Sequence, residues 1–169
     1  KQGKVRKMNL TDDPKGGTFC LSKAGLKIGN SDAKDVDIAA PNGAGVDFVI
    51  DGVLYHKADT ADIPVVVTDE DGTAVSTQAA LTTCLYLVQL DSSGNLTTVK
   101  GTEELSTELA AGDKSLKYPA PTADTCPIGW VKIVTEATTF LCGTDDFSKS
   151  LVTDTFGDLF AIPPHPQAV

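Results

Sequence analysis

The sequence predicts an all-β protein, a β-sandwich or small β-barrel of about eight strands with an extended N-terminal arm and at most one short helix. Three observations carry this. Thr and Val are abundant while aromatic residues make up only 6% of the chain, apolar residues alternate with polar ones over short runs, and the runs are bounded by Gly, Asp, Asn and Pro. At 169 residues, 41% apolar and 22% charged, the chain has ordinary globular composition and length for one core without staples. The expected organisation is a basic arm over residues 1–44, a β domain over 45–163 and a tail over 164–169.

Within residues 1–44, rich in Lys, Gly, Asp and Asn, only Thr18 to Leu21 reads as a short strand. Val46 to Ile50 and Val53 to Lys57 flank Asp51-Gly52, the dipeptide of a type I′ turn that needs positive φ at both central positions. Ile63 to Thr68 is a strand ending in the turn Asp69-Glu70-Asp71-Gly72. Thr83 to Leu90, the turn Asp91-Ser92-Ser93-Gly94 and Asn95 to Lys100 form a second hairpin. Glu103 to Ala111 is the one helix candidate, with Thr102 as N-cap and Gly112 as the residue after the last turn. After the turn-rich Pro119 to Pro127, Ile128 to Thr135 reads as a central strand with Thr138 to Cys142 returning beside it. Phe156 to Ile162 makes the last strand, and Pro163-Pro164-His165-Pro166 ends the pairing because proline has no amide proton.

Charge is unevenly placed. The net charge is -9, yet residues 1–27 hold seven Lys and Arg against two Asp, and the other 142 hold seven against twenty-one acids. A basic leading segment on an acidic body suits an arm that docks on something negative. The acidic total argues against nucleic-acid binding, which needs a basic surface to replace phosphate counterions. The longest uncharged apolar runs, such as Ile63 to Val67, are too short to span a bilayer, and residues 1–27 carry no apolar core of a signal peptide.

Catalytic material is sparse. Only His56 and His165 are present, and no nucleophile elbow, phosphate loop or zincin motif occurs. Cys20, Cys84, Cys126 and Cys142 form no C-x-x-C pair, so zinc ribbons and dithiol redox motifs lack their ligands. Cys84 lies in an apolar strand as a small buried hydrophobe. Cys126 and Cys142 flank an apparent hairpin, and whether they are bridged stays open. Aligning Gly72 with the glycine of a calcium loop puts Val67 at the first ligand position and Gln78 at the last, so Asp69 to Gly72 reads as a solvated turn. Asp145-Asp146 reads the same way. No catalytic residue, cofactor or metal is assigned.

Four segments, Phe48 to Thr60, Cys84 to Gly94, Pro121 to Gly129 and Phe160 to Pro163, together resemble small structural proteins encoded by tailed bacteriophages. The resemblance covers roughly residues 46–163 and leaves the basic arm outside. It implies a non-enzymatic virion component: a capsid decoration (cement) protein, a homotrimer that binds the major capsid protein and assembles in the host cytoplasm, with no nucleic-acid or membrane partner. Lys1, Lys4, Arg6, Lys7 and Lys15 are the expected capsid-attachment residues. Three other classes stay open: a head or tail fibre adhesin, a secreted binding module with Cys126 and Cys142 bridged, and a small hydrolase with clustered carboxylates.

Overall fold

The computed structural model describes residues 17–160. The expected all-β class holds. In chain order the elements are β1 (Phe19–Cys20), β2 (Leu26–Ile28), β3 (Val36–Ile38), β4 (Val46–Ile50), β5 (Val53–Lys57), β6 (Thr60–Ile63), β7 (Val67–Asp69), β8 (Thr82–Asp91), β9 (Leu96–Lys100), β10 (Glu104–Leu105), α1 (Ser106–Ala111), β11 (Thr125–Thr135) and β12 (Val152–Asp158). They form one six-stranded sheet, ordered β12-β11-β8-β9-β7 with β10 also on β8, and two three-stranded sheets, β1-β4-β5 and β2-β3-β6.

The core lies between the large sheet and the two small ones. Cys84, Tyr86, Val88 and Leu90 of β8 and Cys126, Ile128, Val131 and Ile133 of β11 share one cluster with Val46, Phe48 and Ile50 of β4 and Val36 and Ile38 of β3. Strand β8 is buried from Thr82 to Leu90 on both faces, which is why its sequence reads as an unbroken apolar run. Its outer face is crossed by the chain after α1, where the Gln89 side-chain amide donates to Thr122 Oγ1 at 2.7 Å and Tyr118 meets Trp130 edge-on. The register of β11 on β8 slips between Pro127 and Gly129; the bulge gives Pro127 a place where no ladder amide is needed.

The Asp51-Gly52 hairpin forms as predicted, with φ of 49° and 81° at the two turn residues. Several boundaries differ from expectation. Residues 17–44 do not continue an extended arm: they carry β1, β2 and β3 and bury Cys20, Ala24, Leu26, Val36 and Ile38. Strands of two or three residues are too short to show a period. Residues 1–16 and 161–169, which hold the rest of the expected arm, the end of the expected last strand, the tail and His165, lie outside the described residues.

The run from Ile63 to Thr68 splits at Pro64 into β6 and β7, which join different sheets. The helix starts at Ser106, because Glu104 and Leu105 pair with Thr83 and Thr82 of β8 instead. Thr102 therefore does not cap it, and the residue at the cap position, Leu105, offers no side-chain bond. Gly112 ends α1 in the left-handed region at φ 81° as expected. Thr138 to Cys142 does not return beside β11; that place belongs to β12, from Val152 opposite Thr135 to Asp158 opposite Gly129. Phe140 and Cys142 instead plug the core, in an aromatic chain running Tyr86, Phe140, Phe147, Phe156 with ring centroids 5.5–6.4 Å apart.

Candidate functional site

Lys100 closes β9 with its side chain only 4% exposed. Its ammonium donates to the Ser76 carbonyl at 3.0 Å, to Ser76 Oγ at 2.8 Å and to Glu103 Oε1. Asp69, Glu70 and Asp71, with Gly101 and Thr102, complete a bay of about 380 Å³ around it. The acids are already engaged. Glu103 Oε2 accepts the Ala79 amide at 2.8 Å, Asp69 Oδ2 the Ser76 amide at 3.1 Å and Glu70 Oε1 the Ala120 amide at 3.0 Å. Asp71 accepts both the hydroxyl and the amide of Thr73, which hold its carboxyl below the usual range. With all three Lys100 donors used, the bay is an internal brace that ties the turn after β7 to the loop before β10.

The turn Asp69 to Gly72 closes on itself, with the Gly72 amide on the Asp69 carbonyl at 2.9 Å. Among the described residues no three His, Cys, Asp or Glu side chains are placed to share a metal ion. Asp145 accepts the Leu141 amide at 2.8 Å and Lys149 Nζ at 3.0 Å, so it shapes its own loop. His56 and Tyr55 face opposite sides of β5: Tyr55 stacks on Phe48 at 5.7 Å, while His56 Nδ1 lies 2.8 Å from Asp47 Oδ1 on the outer side.

All four cysteines are free and buried. Burial pushes the Cys20 thiol up to about 11 and those of Cys84, Cys126 and Cys142 up to about 12. A thiol so held is protonated at neutral pH and is no nucleophile. The pairing left open for Cys126 and Cys142 is therefore absent from this structure.

The surface carries more information than the clefts. The expected attachment residues Lys1, Lys4, Arg6, Lys7 and Lys15 all lie outside the described residues, but the place from which their segment leaves the body is defined. Thr18 Oγ1 accepts the Asp51 amide at 3.1 Å beside the tip of the β4–β5 hairpin. Thr18, Phe19, Cys20, Pro127, Leu159 and Phe160 line one apolar pocket of about 230 Å³. Both ends of the described chain thus meet at one site, with Lys23 Nζ 5.5 Å above the Phe160 ring.

Exposed aliphatic side chains cluster in two further places. Val53 and Leu54 on β5 are 53% and 64% exposed. At the end of β11 remote from Pro127, exposed Leu105, Leu81 and Leu151 stand in a row. The Ser106 amide bonds the Leu81 carbonyl, the Leu81 amide bonds the Glu136 carbonyl and the Glu136 amide bonds the Leu151 carbonyl, at 2.8–3.0 Å. Leu81 and Leu151 have φ of 62° and 64°, a region that disfavours branched side chains. Sequence reasoning missed this row; the available signal was a leucine in each of two polar turns, Ala79 to Thr82 and Ser148 to Val152.

No protein-family model matches the chain, and no curated protein or solved structure matches it either.

Proposed function

We propose that this protein is a non-enzymatic structural component of a tailed-bacteriophage virion, a decoration (cement) protein that sits on the outer head surface, contacts the major capsid protein and acts as a homotrimer. The observation that carries this reading is the division of charge along the chain. Residues 1–16 hold Lys1, Lys4, Arg6, Lys7 and Lys15 against Asp12 and Asp13, and residues 17–160 hold nine Lys and Arg against twenty-one acids. The basic segment joins the body at Thr18, beside an apolar pocket and a projecting hairpin. A cationic arm leaving an acidic β body at one defined edge suits attachment to an acidic lattice while the body keeps the particle soluble.

The mechanism is linkage. A protein that binds the expanded shell across neighbouring capsid subunits, and binds the unexpanded or dissociated subunits less, stabilises the expanded state in proportion to its occupancy. The arm supplies attraction through its five cations and backbone groups for pairing with a capsid strand. The β body supplies a folded unit that needs no active site.

Co-sedimentation with expanded, undecorated phage heads at rising salt tests this. Saturable binding that weakens with salt, and is lost when Lys1, Lys4, Arg6, Lys7 and Lys15 are all replaced by Gln, is the expected result. Full binding by that variant removes the arm from the mechanism. Absence of binding to heads, with binding to host cells, replaces the decoration role by a fibre adhesin.

A further inference from the structure

We propose that the outer edge of β5 is a strand-acceptor site and that its occupant is the chain's own segment Val5 to Thr11. In a two-residue hairpin the residue pair flanking the turn exchanges both backbone bonds, as does every second pair beyond it. Ile50 and Val53 flank Asp51-Gly52, so Val53, Tyr55 and Lys57 spend their backbone groups on β4. The amides and carbonyls of Leu54 and His56 point the other way, and β5 pairs with no strand but β4 among the described residues. Neither proline nor bulge interrupts this edge, and the one charged side chain on its inner face is the half-buried Lys57 at the end remote from the turn. Instead it offers Val53 on one face and Leu54 on the other, both more than half exposed.

The chain's own geometry selects the occupant. Thr18 lies beside the hairpin tip, its Oγ1 accepting the Asp51 amide, so the chain enters β1 from that end. Strand order is β1-β4-β5, so a strand added beyond β5 lies three ladder spacings from β1, about 14 Å. Asp12-Asp13-Pro14-Lys15-Gly16-Gly17 is six residues of turn-forming type, with a reach of about 20 Å. A segment that reverses at the tip runs antiparallel to β5, the polarity that a short connection permits.

Val5 to Thr11 has seven residues, enough to span the five of β5. It places Arg6, Met8 and Leu10 on one face and Val5, Lys7, Asn9 and Thr11 on the other. Apolar side chains thus reach both faces of the edge, and the antiparallel polarity would bring Lys4, Arg6 and Lys7 to the end of β5 remote from the turn, where Asp47 pairs opposite His56 and Asp59 follows Lys57. Tethering gives the segment an effective concentration that a second molecule does not match in dilute solution. In a particle, the same segment would leave β5 to grip the capsid, but the docking itself is independent of that role.

Amide hydrogen exchange of the full chain tests the site, with Met8→Pro as the variant that removes one arm amide and blocks the ladder. Leu54 and His56 amides should exchange about tenfold or more slowly in the parent than in Met8→Pro. Leu87 and Ile133 amides should be equally protected in both, showing an intact body. The protection should be the same at low and high protein concentration. Fast exchange at Leu54 and His56 in the parent, or protection untouched by Met8→Pro, overturns the proposal. Protection that grows with concentration together with a larger sedimenting species assigns the edge to a second copy and overturns docking within one chain.

Discussion

Buried polar and ionisable side chains set the character of this protein. The four thiols keep their protons in the folded state well above the ordinary value of 9.0. Between pH 9 and about 12 the unfolded chain therefore binds fewer protons than the folded one, and stability falls as pH rises through that window. Burial of the Tyr86 hydroxyl, which donates to Gln78 Oε1 at 3.1 Å, acts with the same sign. The urea midpoint should be flat from pH 7 to 8 and drop steadily above pH 9; a midpoint unchanged at pH 10.5 would contradict buried thiols. A thiol reagent at pH 8 should likewise find no reactive cysteine in the native chain and four in denaturant. The Lys100 brace makes a second demand. Lys100→Met leaves Glu103 without its cation and should cost about 3 kcal/mol in urea unfolding, while the double variant Lys100→Met with Glu103→Leu should recover much of that loss. Equal stability of the parent and the single variant would show that the brace carries no net weight.

At the scale of single elements, legibility followed length and turn chemistry. The β4–β5 hairpin was readable because Asp-Gly between two apolar runs has one low-energy solution, and the positive φ of both residues is that solution. Strands β8 and β9 were readable within a residue at each end because continuous apolar residues and a polar turn bound them. Strand β12 was misplaced because Val152 to Asp158 contains two Asp, two Thr and one Gly, a composition that reads as loop. It is a strand because β11 offers an open ladder, and because Gly157 stands opposite Trp130. A Cβ on Gly157 would fall 2.3–2.8 Å from the Trp130 indole, so Gly157→Ala should destabilise by about 2 kcal/mol and shift the tryptophan emission. An unshifted spectrum and unchanged midpoint would place the indole elsewhere. Helix α1 was shortened for the converse reason: β8 captures Glu104 and Leu105 before they can enter a helical turn.

Across the whole molecule, the N-terminal boundary has the largest consequence. Removing residues 1–16 should leave a fully folded body, with the urea midpoint changed by no more than the loss of one docked strand. Removing residues 1–27 deletes β1 and most of β2, taking Cys20, Ala24 and Leu26 from the core. That chain should lose cooperative unfolding, measured by circular dichroism and urea titration; a cooperative transition in it would show that residues 17–27 are dispensable decoration. The sequence by itself determined the all-β class, the two principal hairpins and the division between a basic leading segment and an acidic body, because turn dipeptides, alternation and charge act locally. The tertiary structure alone decided that residues 17–44 belong to the core, that β12 rather than Thr138 to Cys142 completes the large sheet, and that three distant leucines form one exposed row. Those outcomes depend on which backbone groups remain unpaired once the long strands have assembled, and that quantity exists only in three dimensions.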